Sequence, residues 1–275
     1  MVKRSAPFLR PLALAIFAFA TLFPLYWVMK IAVTPTSLLY SEGLRWWPSV
    51  ASFEHFGKVW QWAQFPDYFR NSVVVSLSSA LLATTLAALG GYALSRRQFR
   101  GRAVVSLFLL LTQMFSAMLI IVPLTKLFTA SGMINSLLGL GLAYAAFNLP
   151  FAIFLMRSFF DALPAELEEA AAIDGFGRFE MLARILLPLA LPGLGATLGF
   201  TFVEAWSELF LALTLINDEA RKTLPTGLMS FITKLGINWG EMSAAGLIAL
   251  APACLFFVLV ERFLVSGLTA GAVKG

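Results

Sequence analysis

Six apolar runs, separated by more polar connections, set the pattern of the chain: residues 11–33, 69–94, 103–128, 137–160, 188–216 and 241–263. Each is close to the ~20 residues that carry an α-helix across a hydrocarbon core. The alternation of polar and apolar residues that marks a membrane barrel is absent from them. A run of this length must satisfy its own backbone in lipid, which selects the helix. The expected fold is an all-α integral membrane protein of six transmembrane helices, forming one domain over residues 1–275.

The connection at 161–187 stands apart. It is several times longer than the roughly 2–8 residues that usually join neighbouring helices. Pro164 suits a first helical position, where its missing N–H costs nothing. Glu166, Glu168 and Glu169 follow in the first turn, where carboxylates complement the helix dipole. Gly175 suits a C-terminal cap. The expectation is a helix of about three turns with Leu167, Ala170, Ala171 and Asp174 on one stripe. Small side chains there allow a partner surface to approach closely. Phe179, Leu182 and Leu186 begin a second helix, and Pro188 and Pro192 mark the entry to the fifth run.

Composition agrees with the membrane reading. The 275 residues are 59% hydrophobic and 13% charged, against about 45–50% and about 25% in soluble domains. The net charge of +5 is then a matter of topology and anionic lipid rather than of nucleic acid. Cys254 is the single cysteine and His55 the single histidine, which excludes an intramolecular disulfide, a cysteine metal cluster and most histidine-based catalysis. No metal site is expected. The first run continues to Val33, longer than the apolar region of a secretion signal, so it is expected to remain as an uncleaved span.

Basic residues set the expected orientation. Arg96, Arg97, Arg100 and Arg102 crowd the 95–102 turn, and Lys3, Arg4 and Arg10 precede the first span. With six spans these segments and the 161–187 connection share one side, expected to be cytoplasmic with both termini. The outer 34–68 segment carries Trp46, Trp47, Trp60 and Trp62, the composition of an interfacial aromatic belt. Contact with an external partner is the alternative. The outer 217–240 segment holds Asn217, Asp218, Glu219, Arg221, Lys222 and Asn238.

Ionisable residues within spans are costly in lipid and point to function or to pairing. Glu204 and Glu208 are four apart in the fifth run and are expected on one face of a single helix. They either face a solute path or pair structurally. Gln113 and Asn148 either line the same path or join helices by hydrogen bonds.

Several motifs resemble carbohydrate ABC importer permeases, nearest the smaller, maltose-type subunit of that binding-protein-dependent family. They begin with Tyr68-Phe69-Arg70-Asn71-Ser72, Gly91-Tyr92-Ala93-Leu94-Ser95-Arg96 and Phe99-Arg100-Gly101-Arg102. Ile121-Val122-Pro123-Leu124 and Leu149-Pro150-Phe151 continue the likeness. Glu169-Ala170-Ala171-Ala172-Ile173-Asp174-Gly175 resembles the cytoplasmic "EAA" coupling loop, and the 266–275 tail is similar to that of the smaller subunit. Departures are Phe176 where alanine is common, Ser207 where asparagine is common, and Ser116 where proline is common.

The resemblance implies a non-catalytic subunit of a prokaryotic cell-membrane sugar importer. Its implied partners are a second related permease, two cytoplasmic ATPases, an extracytoplasmic solute-binding protein and lipid. Glu169, Ala170, Ala171, Asp174 and Gly175 are the implied ATPase-coupling residues. No cofactor is expected in this chain; ATP and Mg belong to the ATPases. The sequence agrees by lacking a phosphate-binding loop, since Gly57-Lys58 has neither the first glycine nor the following hydroxyl. Import of a polyol, glycerol phosphate or another small solute is the alternative, and a self-sufficient secondary carrier is a more distant one.

Overall fold

A computed structural model describes residues 9–41, 43, 45–62, 64–233 and 236–272. The basic flank at Lys3 and Arg4, Lys234, and Val273–Gly275 of the tail lie outside the described residues. The first part of the chain forms α1 (Leu9–Val33), α2 (Thr36–Leu39), α3 (Glu54–Gln61) and α4 (Phe65–Arg96). Next come α5 (Arg102–Met114), α6 (Ala117–Ala130), α7 (Leu137–Ala162) and α8 (Glu166–Ile173). Then follow α9 (Arg178–Met181), a π-helical turn at Leu182–Leu186, α10 (Leu187–Leu189), α11 (Leu191–Ser207) and α12 (Phe210–Leu215). The last elements are α13 (Leu224–Leu228), a two-stranded hairpin of β1 (Ile232–Thr233) and β2 (Gly236–Ile237), and α14 (Trp239–Ala272).

Four helices are long and apolar enough to cross a membrane unaided: Pro11–Val33, Phe65–Arg96, Leu137–Ala162 and Trp239–Glu261. The expected third span is instead a bent pair, and a second bent pair covers the end of the 161–187 connection and most of the expected fifth span, 188–216. Arg102–Met114 meets Ala117–Ala130 at 100°, and Arg178–Leu189 meets Leu191–Ser207 at 78°. Counting each pair as one span gives six. Ser116 makes the first bend by leaving the helix and accepting the N–H of Met118 at 3.3 Å as an N-cap. The second bend falls at Ala190, between Pro188 and Pro192.

The chain divides into two compact units. One comprises residues 1–66 and 228–251. In it Glu54 accepts the backbone N–H and the hydroxyl of Thr36, each at 2.9 Å. These bonds hold its carboxyl down at about 2 from an ordinary 4.5. His55 is fully buried with Nε2 2.9 Å from the Thr34 carbonyl, and Gly240 lies so close to its ring that a Cβ would overlap it. The hairpin pairs Ile232 with Ile237 and Thr233 with Gly236. The Tyr26 hydroxyl donates to the Trp46 carbonyl, while Trp46, Trp47 and Phe53 stay exposed.

The other unit comprises residues 67–227 and 252–275. Here α4 and α7 approach through small residues: a Cβ on Gly91 would stand 2.8 Å from the Arg157 backbone nitrogen and from Met156 Cβ. Without a water-driven force between helices in lipid, such close backbone packing is a main source of association. Around it Ala87, Tyr92, Leu94, Met156 and Phe160 form a buried cluster that also takes in Ala171, Met181 and Leu186. The 161–187 connection is therefore packed into the body of this unit. Farther along the chain, Asn71 Nδ2 donates to the carbonyls of Ala220 (2.9 Å) and Lys222 (3.0 Å). The Tyr68 hydroxyl donates to Glu219. Lys222 and then Tyr68 hold the Glu219 carboxyl below its usual range.

Candidate functional site

Two places bring the sequence candidates together. The first is α8. It begins at Glu166, two residues after Pro164, so it is shorter than the expected three turns. Its C-terminus closes as a Schellman motif: the Phe176 N–H bonds the Ala171 carbonyl (3.0 Å) and the Gly175 N–H that of Ala172 (3.2 Å). Gly175 sits at φ +84°, the left-handed region that a Cβ disfavours. The returning Phe176 side chain packs on the same buried cluster as Ala171.

The expected stripe is split by this packing. Ala171 is 3% exposed and Leu167 is half-buried, so these two face the body of the unit. Glu169, Ala170 and Asp174 stay exposed. Ile173 at 87% and Phe179 at 81% exposure also lie outside, and composition gave no sign that these apolar side chains would be left uncovered. A helix with one face anchored and a small, acidic and apolar face open is suited to enter another protein's cleft.

The end of α4 holds α8 in place. Ser95 Oγ donates to Asp161 at 2.6 Å, and Arg96 Nη2 donates to the Leu163 carbonyl at 2.6 Å. Arg96 Nε stands 2.9 Å from Glu168 Oε1, with the side chains 15% and 21% exposed. That N–H does not point at the oxygen, so the contact is Coulombic rather than an aligned hydrogen bond. The spacing from Ser95 to Glu168 hid this clamp from the sequence, where Arg96 appeared as one of four topology-setting arginines and in a family motif.

The second place is a cavity of about 290 Å³. Gln113, Asn148, Glu204 and Glu208 all line it, although α5, α7, α11 and the turn after α11 supply them separately. Glu204 and Glu208 do not share a helix, contrary to the expectation of one run over 188–216. α11 ends at Ser207, and Glu208 is extended at φ −69°, ψ 127°. Its carboxylate accepts the N–H groups of Leu211 (2.9 and 3.1 Å) and Ala212 (3.2 Å), capping the first turn of α12. An N-terminal turn with orphan donors gains by this, which is the physical reason for the break. Glu204 has no such task and is exposed in the cavity.

Aromatic walls complete the cavity. Phe151 and Phe200 lie with ring centroids 4.2 Å apart, and Tyr144 and Phe147 join them. Amide, carboxylate and aromatic surfaces together can bind a solute rich in hydroxyl groups: the polar groups take its donors and acceptors, and the rings take its C–H faces.

The sequence pattern of the family described as binding-protein-dependent transport system inner membrane component matches residues 80–269. Among curated relatives, the inner membrane ABC transporter permease protein YcjP of Escherichia coli K12 is 38% identical over 95% of this chain and 94% of its own length. The diacetylchitobiose uptake system permease protein DasC of Streptomyces coelicolor is 39% identical, covering 92% of each chain. The trehalose/maltose transport system permease protein MalG of Thermococcus litoralis is 33% identical over 94% of this chain and 93% of its own. A chain of a bacterial ABC transporter involved in import of the acidic polysaccharide alginate superposes with a TM-score of 0.81 at 23% identity, covering 92% of this chain and 94% of that one. The chain belongs to the family of binding-protein-dependent transport system inner membrane components, and its all-α fold is that of an ABC importer permease.

Proposed function

We propose that the chain is one permease half of an ATP-driven sugar importer, paired with a second related permease and driven by two cytoplasmic ATPases. Its own role is non-catalytic; ATP and Mg are bound in the ATPase chains. The observation that carries this reading is α8, anchored on one face by Ala171 and Arg96 and open on the other at Ala170, Ile173 and Asp174. The four arginines of the 96–102 turn support a cytoplasmic location for it and for both termini. Names of relatives that take up diacetylchitobiose and trehalose or maltose support a saccharide as the solute. The hydroxyl-binding character of the cavity agrees, with Gln113, Asn148 and Glu204 as solute contacts. An extracytoplasmic binding protein delivers the sugar. Co-expression with the ATPase and second permease of the same transport system, followed by affinity capture on this chain, tests the assembly. Both partners are expected in stoichiometric amounts, and capture of the chain alone contradicts the reading.

A further inference from the structure

A second groove, of about 290 Å³, opens at the other end of α4 from Tyr68, beside α9 and the π-helical turn. Its apolar lining is Leu89, Tyr92, Ala93, Phe179 and Leu182. Two guanidinium groups, Arg97 and Arg178, stand at its rim and no carboxylate lines it. Of the carboxylates nearby in sequence, Glu168 pairs with Arg96, Asp161 with Arg157 and Glu180 with Arg184, while Asp174 is exposed and does not line the groove. Among the described residues neither Arg97 nor Arg178 has an ion-pair partner. Arg97 is held in place by Tyr92, whose ring lies 5.7 Å from the guanidinium and whose hydroxyl accepts from Nη2 at 3.3 Å. Two cations kept free of counter-charges above an apolar floor are complementary to an anion with a hydrocarbon tail.

The surface leading away from the groove fits such a tail. Leu82, Leu86 and Leu89 are exposed on α4 at i, i+4 and i+7, and Ala93 continues the same stripe into the groove. From Ala93 to Leu82 the helix rises about 16 Å at ~1.5 Å per residue, close to half of a ~30 Å hydrocarbon core. The lane is thus one leaflet long, with the charges at its polar end. We infer that this groove binds an anionic phospholipid, its phosphate between Arg97 and Arg178 and one acyl chain along Leu89, Leu86 and Leu82. The leaflet is the cytoplasmic one if the chain faces as proposed above; the site itself does not depend on that orientation.

Native mass spectrometry of the purified transporter, titrated with phosphatidylglycerol or phosphatidylcholine of the same acyl chains, tests this. Wild type is expected to hold phosphatidylglycerol preferentially. Arg97→Gln with Arg178→Gln should weaken it about thirtyfold, the factor that two lost surface cations give. Arg184→Gln, a paired arginine outside the groove, should leave it unchanged. Ala93→Trp, which fills the floor but keeps both arginines, should also abolish retention, and this covers the case in which the double variant is poorly folded. Equal retention of the two lipids, or retention unaffected by the groove variants, overturns the inference. Displacement by inorganic phosphate alone would make it a free-anion site and overturn it too. Loss of the lipid only when the ATPase is bound would do the same, by marking the groove as a protein interface.

Discussion

Arg96 Nε and Glu168 Oε1 stand 2.9 Å apart, joining the end of α4 to the first turn of α8. The same arginine donates to the Leu163 carbonyl at 2.6 Å, at the point where the chain leaves α7. One side chain therefore fixes α8, the helix proposed to meet the ATPase, against two of the long helices that shape the unit, an arrangement suited to carrying a push on α8 to α4 and α7 together.

Arg96→Ala removes both contacts and leaves a carboxylate and a carbonyl without partners, a cost of about 1–3 kcal/mol for such groups when buried. Uptake should fall by about tenfold or more, equivalent to ~1.4 kcal/mol, while the amount of protein in the membrane stays within twofold of wild type. Glu168→Gln should have a smaller effect, because the Leu163 bond survives. Equal uptake by Arg96→Ala and wild type at matched membrane levels would show that the clamp does not transmit force.

The two faces of α8 should respond differently. Ala171→Trp places a large ring in the buried cluster and should lower the membrane level of the protein. Ala170→Trp changes only the open face; the protein should insert normally and lose uptake. Gly175→Ala forces a Cβ into the left-handed region at roughly 1–2 kcal/mol, and should loosen the Schellman closure with a partial loss of uptake. Protein levels by immunoblot, set against uptake, separate these outcomes. Normal uptake by Ala170→Trp at normal levels would remove the open face from the coupling surface.

Glu204 and Glu208 line one cavity but carry different tasks. Glu208→Ala uncaps α12 and should lower thermal stability in detergent, by about 0.5–2 kcal/mol on the scale of helix caps. Glu204→Gln should leave the melting temperature unchanged and alter the affinity or rate of solute transport. A Glu204→Gln variant with wild-type transport would contradict a solute-contacting role for Glu204.

Glu54 provides a pH test outside the spans. Its carboxyl is lowered to about 2 by the bonds from Thr36, so its stabilising contribution is full above about pH 4.5 and is lost as pH falls through about 2. Hydrogen exchange at the Thr36 amide, compared between wild type and Glu54→Gln at each pH, should show a constant difference from pH 7 to about 4.5 that closes near pH 2. Closure of that difference already at pH 5 would contradict the assignment.

The apolar spans, a helix within the 161–187 connection and the four polar cavity residues were legible because each leaves a local signal: a long apolar run, a charged start with a glycine stop, or a polar residue in apolar surroundings. The bend at Phe115–Ser116 was not legible, since apolar character is the same on both sides and one serine cap makes the turn. The break after Ser207 was hidden for a related reason. Glu204 and Glu208 have helical spacing, and nothing local says that Glu208 would spend its carboxylate on the amides of Leu211 and Ala212. The split of the α8 stripe depends on Phe176 and Met181 folding back onto Ala171, a tertiary event that periodicity does not encode. Arg96 was visible as charge, but its partners lie far along the chain.

ATP-driven uptake tests the central claim most directly. The complete complex is reconstituted into vesicles with its binding protein outside, ATP and Mg inside, and labelled diacetylchitobiose, trehalose or maltose outside. At least one saccharide should accumulate, only when ATP is enclosed, and Arg96→Ala should reduce both accumulation and its accompanying ATP hydrolysis. Accumulation driven by an imposed ion gradient without ATP, and indifferent to Arg96→Ala, would contradict the account and identify the chain as a self-sufficient carrier.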